Sequence, residues 1–468
     1  MKNILKLISG SLLALLIVLT GCEDRTDLTA PEAFSTGDAN FASFVTIGNS
    51  LTAGYQSGAL YQSAQEYSFG NLIAKQVGAK YEQPLVSDPG VGGRIEVVSL
   101  SPFATTRNTN EGTPLNLNYA APYNNLGVPG ALLAEMTMTS STATSLTANP
   151  LFDLILRGIG TPVEQAKALN ATFATVWIGN NDILGHATSG GVKPYTDIPT
   201  FQFLYNAMLD SLAETNAKVL CANIPSVTAI PFFKTVGPGV ALAIQPAVDA
   251  GLAMGLFYNT NGQMGPADLT SIATPTALLS GEVLLTLASS PYAALIGQPT
   301  GKFYRDNGIS DPSLLGIDTT QAFGLHPLNP WPDAFTLDPN ELATIATQIQ
   351  GFNDAISAIA AAHGYGVVDI NSFFNEVAAN GYTANGITFT TEYVTGGLFS
   401  LDGVHPTSQG YAIVANKFIE AINSNFNASI PLVDVSTIPG SLEFAKKVEF
   451  NKFGIPIAAP GTFDNIKF

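Results

Sequence analysis

A three-layer α/β/α sandwich built on a mainly parallel sheet is the fold class predicted for this 468-residue chain. Three observations predict it. Short apolar or β-branched runs end at glycine or proline, as strands buried on both faces do. One-faced helical patterns with marked ends lie between those runs, and alternation of this kind packs helices on both sides of a sheet. Hydrophobic residues make up 46% of the chain and charged ones 12%, which supplies a large core and excludes a disordered chain.

The strand candidates are Phe44-Val45-Thr46-Ile47, Thr175-Val176-Trp177-Ile178, Val219 to Ile224, and Gly366-Val367-Val368-Asp369-Ile370. After Asp197, apolar residues at Phe201, Leu204, Tyr205, Met208, Leu209 and Leu212 mark a one-faced helix. Asp338-Pro339-Asn340-Glu341 reads as an N-cap, a first-turn proline and a capping-box acid. The stripe Leu342, Ile345, Ile349, Phe352, Ile356 and Ile359 follows it, with Gly364 as the C-cap. A last helix carries Tyr411, Ile413, Val414, Phe418 and Ile422. Residues 79–124 are rich in Pro, Asn, Thr and Gly with weak periodicity, and residues 226–336 hold ten charged side chains. Both read as insertions into a domain spanning 41–430, the second as a subdomain of short helices and loops. The extension 431–468 is punctuated by Pro and Gly and has no assigned role.

Residues 1–21 read as an address label. Lys2 and Lys6 precede an apolar stretch, Leu7 to Leu19, too short to span a bilayer comfortably. It ends in Leu19-Thr20-Gly21-Cys22, which resembles the lipobox of bacterial lipoproteins. That resemblance implies cleavage before Cys22, lipid on its sulfur and amine, and a polar tether over 22–40. The expected location is the cell envelope, lipid-anchored in the outer membrane, facing either the periplasm or the outside. The mature chain would hold 17 Lys+Arg against 36 Asp+Glu, a net −19. With no basic run, nucleic acid is not an expected partner. Cys221 sits in an apolar run and reads as a buried, inert thiol. Two cysteines, no CxxC and no HExxH helix point to no zinc site.

Four short motifs carry chemistry. Gly48-Asn49-Ser50-Leu51 puts a serine at the carboxyl end of the first strand, before a helix. Ligands of open α/β sheets bind at that edge, although a serine after a glycine turn is also an ordinary helix cap. Asn125-Leu126-Gly127-Val128-Pro129-Gly130 reads as a turn whose glycine lets a backbone N–H approach a ligand. Gly179-Asn180-Asn181-Asp182 follows a strand, where an Asn amide can donate to an oxyanion or form an Asx turn. In Asp402-Gly403-Val404-His405-Pro406 the carboxylate reaches its own loop's imidazole and orients it.

In this order the four motifs resemble the blocks of the SGNH (GDSL) hydrolase family, over most of residues 41–426. The first block has Asn49 where Asp is commoner, and the two long insertions exceed the compact family core. The resemblance implies a flavodoxin-like sandwich and a serine esterase or lipase that needs no cofactor and no metal. Ser50 would attack the ester carbonyl, with His405 as general base and Asp402 stabilising the imidazolium. The oxyanion would be held by the N–H groups of Ser50 and Gly130 and by the Asn181 amide.

The other histidines fit less well. Phe323 stands where a carboxylate would have to orient His326. His363 ends a helix and complements its dipole, and His186 is expected at the surface. The absence of GxSxG argues against the α/β-hydrolase elbow. The 226–336 insert is expected either as an apolar lid favouring long acyl chains or as a structural subdomain on the sheet edge. A lipase or carboxylesterase therefore leads, followed by a glycan O-acetyl esterase. A non-catalytic glycan- or lipid-binding surface lipoprotein and a structural envelope protein remain open.

Overall fold

Five short strands pair in parallel: β1 (Phe44–Gly48), β2 (Asn125–Gly127), β3 (Phe173–Trp177), β4 (Lys218–Ala222) and β5 (Gly366–Val368). Their order is β5-β4-β3-β1-β2. In this computed structural model the described residues are 34–260, 262, 270–440 and 442, so the leader 1–21 and Cys22 lie outside them. β1 and β3 are buried at every position, as expected of strands covered on both faces. Among the described residues no helix is long and apolar enough to cross a membrane.

One face carries helices α1 (Ser50–Ala53), α2 (Phe69–Val77) and, much later, α8 (Ser408–Asn425). There Phe69 stacks on Phe418 at 4.6 Å and meets the edge of Trp177 at 5.9 Å, contacts worth about 0.5–1.5 kcal/mol each beyond burial. The other face carries α3 (Pro162–Ala168), α4 (Asn181–Thr188), α5 (Ile198–Ala213) and α6 (Pro339–Ala362). Phe201 of α5 stacks on Phe352 of α6 at 4.0 Å. The caps fall where the residue types place them. Asp197 accepts from Thr200 N, and Asp338 and Glu341 form a reciprocal capping box. At the other end of α6 the C-cap is His363 and not Gly364, which follows it in the left-handed conformation.

Three expectations change. Asn125–Gly127 is not a turn but the sheet's edge strand, in register Thr46↔Asn125 to Gly48↔Gly127. Three residues are too few to show a period. Residues 79–124 contain an antiparallel hairpin, Ile95–Leu100 with Phe103–Arg107, bulged between Val97 and Ser99. Residues Ser35 to Ala39, at the end of the expected tether, pack on the body: Asp38 N donates to Phe426 O, and Ala39 is buried.

The stretch 226–336 contains helices Pro231–Lys234 and Val236–Asp249, the hairpin Leu256–Asn259/Thr270–Ala273, and shorter helical turns. Its large buried apolar residues, Trp331 among them, belong to the same hydrophobic cluster as the sheet. Residues 430–438 run back along α8. Asn423 exchanges two hydrogen bonds with Ile430, Asn416 two with Val433, and Gln409 donates to Val435 and Ile438 carbonyls.

Candidate active site

The chain leaves β1 toward β2 on one side and enters β3 on the other, so the carboxyl ends of β1 and β3 flank the switch point where such sheets bind ligands. Three of the four motifs converge on this edge from adjacent strands. Asn49 caps α1 by accepting from Leu51 N at 3.1 Å, which makes Ser50 the first helical residue and not the cap. The Asn49 amide donates to Asn180 Oδ1 at 3.1 Å, tying the first motif to the third. An aspartate at 49 could not make that donation.

Past β2, Val128 N donates to Gly48 O, and Ala131 N closes a turn on Val128 O. Gly130 has φ +82° in that turn. With Pro129 ahead of it this is a type II geometry, which requires a left-handed residue at Gly130. The third motif grips the loop that follows: Asn181 Nδ2 donates to Ala131 O at 2.9 Å, and Asp182 Oδ2 accepts from Leu133 N at 2.9 Å. Asp182 also accepts from the Thr196 hydroxyl at 2.8 Å. Burial pushes the Asp182 carboxyl up to about 6 against those hydrogen bonds, which lower it.

Asp402 and His405 come from the loop between Phe399 and Pro406, pinched by Ser400 N donating to His405 O at 2.8 Å. Both are buried. His405 Nδ1 lies 2.9 Å from Asp402 Oδ2, which also accepts from Gly58 N at 2.8 Å. Asp402 Oδ1 accepts from the N–H groups of Val404 and His405. An ionised carboxylate only accepts, so Nδ1 carries a proton toward Asp402, and Nε2 is the ring nitrogen outside that bond. Burial alone would raise the Asp402 carboxyl. The His405 charge and these hydrogen bonds outweigh it and hold the carboxyl below its ordinary value. The Tyr55 ring packs 4.9 Å from the imidazole, and the Tyr55 carbonyl is anchored by the Tyr411 hydroxyl.

Ser50, Asn181 and His405 line one cavity of about 50 Å³. Its other walls are mostly apolar, including Leu184, Ile230, Phe374 and Phe399. Asp402 stands behind His405. Gly130 is half-buried in its turn and is not among the residues lining the cavity. His186 is buried, contrary to expectation. It lies one helical turn beyond Asp182, bonds the Lys193 carbonyl through Nδ1 and packs on Tyr195. Cys221 is buried, and burial pushes its thiol up to about 12, so it is no thiolate nucleophile. Among the described residues no group of three or more His, Cys, Asp or Glu is arranged to hold a metal ion.

Sequence reading missed Tyr55 and Gly58 as parts of this site, and it quoted Asp182 in the third motif without a role. The dipeptide Ser57-Gly58 does signal a turn, but nothing local shows that its N–H meets a carboxylate 344 residues away.

A family model described as GDSL-like Lipase/Acylhydrolase matches residues 302–418, a span that holds Asp402 and His405 and not Ser50. The match supports an ester-hydrolysing activity in general. No curated protein matches the chain. Among solved structures, the chain is similar to LAE5, described as an alpha/beta hydrolase enzyme from the metagenome of Lake Arreo, Spain. The TM-score is 0.34 at 10% identity, covering 82% of this chain and 96% of that one.

Proposed function

We propose that this protein is a serine esterase of the lipase or carboxylesterase kind, working through an acyl-enzyme on Ser50. The observation that carries the reading is the buried Asp402–His405 pair, whose imidazole lines the same cavity as Ser50. As the Ser50 Oγ–carbon bond forms, His405 Nε2 takes the hydroxyl proton, and the imidazolium is stabilised by Asp402. The carbonyl oxygen becomes an oxyanion. The Asn181 amide donates one hydrogen to Ala131 O and has a second to offer it. The N–H groups of Ser50 and Gly130 are the proposed companion donors. Collapse breaks the bond to the alcohol oxygen, which leaves with the proton from His405. Water then attacks the acyl carbon as it gives a proton to the same imidazole; the Ser50 Oγ–carbon bond breaks, Oγ takes that proton back from His405, and the acid leaves.

The mainly apolar lining favours this reading over a glycan O-acetyl esterase, since a sugar needs hydrogen-bonding partners around the scissile ester. We further propose, from Cys22 and the leader alone, that the mature chain is lipid-anchored in the cell envelope. Hydrolysis of p-nitrophenyl butyrate by the chain from residue 23 tests the esterase. Ser50→Ala should abolish turnover and covalent labelling by an alkyl fluorophosphonate while the protein stays folded. Equal turnover by Ser50→Ala would refute the mechanism. A folded wild-type chain inert on all esters would favour the binding lipoprotein.

A further inference from the structure

The cavity beside Ser50 has a wall that belongs to the insert. Ile224 and Pro225 end the run from β4, and Val227 and Ile230 follow in the first turns of the 226–336 stretch. Phe374 of helix α7 (Ile370–Asn380) and Phe399 of the Asp–His loop line the same cavity, their rings 5.6 Å apart. A lid would have to swing clear of the serine, but this wall is held at both ends. At Ile224 the Asn353 side chain accepts from the N–H at 2.7 Å and donates to the carbonyl at 2.9 Å, and Asn371 donates to the same carbonyl at 2.8 Å. At the far end Phe232 N donates to the carbonyl of Gly403, between Asp402 and His405, at 3.0 Å. Gly403 has φ +72°, and a Cβ there would lie 3.1 Å from Phe232 N and 3.0 Å from Leu287 Cδ2. The two backbones therefore touch directly, and Ile230, Phe232 and Phe233 between and beyond the anchors are buried.

We infer that Ile224–Phe232 is a fixed wall of a preformed acyl pocket, which takes a linear aliphatic acyl chain from dissolved, monomeric ester, with Ile230 and Phe374 setting its length. The inference rests on the esterase reading of Ser50. An apolar slot already formed costs no reordering when the chain enters. Each methylene that fits such a slot changes relative rates by about 10-fold or more.

The test is a series of p-nitrophenyl esters from acetate to palmitate, run on the wild type, Ile230→Ala and Ile230→Phe, with the thermal midpoint of each. The wild type should prefer butyrate over acetate by about 100-fold in kcat/KM, two methylenes at about 10-fold each. Ile230→Ala should move the optimum to longer chains and Ile230→Phe to shorter ones. A weakened fold would depress every ester alike. Opposite shifts from one position therefore identify the wall. Acetate as the best wild-type substrate, parallel losses across the series, or a response to the alcohol chain in alkyl acetates instead of the acyl chain would each overturn the inference with the esterase intact. Tributyrin hydrolysis should saturate smoothly below its solubility limit, and a jump at that limit would reveal a moving lid. Absence of wild-type turnover on any ester would instead overturn the Ser50 reading and the pocket with it.

Discussion

The Asn181 side chain gives one amide hydrogen to Ala131 and leaves its own Oδ1 buried without a partner. An orphaned buried acceptor is a local cost that functional sites tolerate and ordinary packing avoids. Asn181→Ala removes the orphan together with the bond, so the two effects on stability oppose each other. Losing an oxyanion donor costs about 10²–10³ in rate. The expected outcome is a kcat lower by that factor, with a thermal midpoint close to wild type. A variant that loses activity only in proportion to its folded fraction would remove Asn181 from the oxyanion site. Its neighbour Asp182 works at one remove, positioning Leu133 and with it the loop that follows Gly130.

Helix α8 and the segment beside it fit by simple geometry. Gln409, Asn416 and Asn423 are seven residues apart, two helical turns, so all three stand on one face. Seven helical residues rise about 10.5 Å, and three extended residues cover about 10 Å. That equivalence lets Asn423 serve Ile430 and Asn416 serve Val433, three residues on. The match then breaks at the 3₁₀ turn Val435–Thr437, where Gln409 reaches two carbonyls at once. Val433 has its N–H and C=O bonded to Asn416 and is buried. Asn416→Ala should therefore destabilise the protein by about 1–3 kcal/mol, the cost of leaving buried backbone groups unpaired. Urea denaturation of the variant measures it, and a loss under about 0.5 kcal/mol would show that water replaces the side chain there.

Charge is unevenly settled across the whole molecule, and this sets how stability depends on pH. Three carboxyls are raised: Asp182 to about 6, Asp333 to about 7 and Glu341 to about 8, in each case chiefly by burial. A carboxyl raised on folding binds its proton more tightly in the native state. Its favourable contribution is therefore complete at low pH and is lost as pH rises through the folded value. Asp402 is lowered, and its contribution is present above the ordinary aspartate value and lost in acid. The thermal midpoint should accordingly be higher at pH 5.5 than at pH 8.5. The double variant Asp333→Asn, Glu341→Gln keeps acceptors for Gly262 N and Asp338 N and should flatten the decline. An equal slope in that variant would assign the decline to general repulsion among the surplus acids.

Four of the five sheet strands and both capped helices, α5 and α6, were legible in the chain because local signals define them: apolar runs, a one-faced stripe, an N-cap, a capping box. The Asp402–His405 pair was legible for the same reason, since three residues of one loop suffice to bring carboxylate and imidazole together. Ser50 and Asn181 were marked by their positions after strands, and the parallel order β5-β4-β3-β1-β2 brings them to one edge. Only the tertiary structure decided the rest. Gly58 reaches Asp402, Phe232 reaches Gly403 and Asn353 reaches Ile224 across separations of more than a hundred residues. Each is a backbone group meeting a distant partner, and backbone groups are alike in every residue but proline. Composition therefore cannot announce them, and packing alone chooses which ones meet.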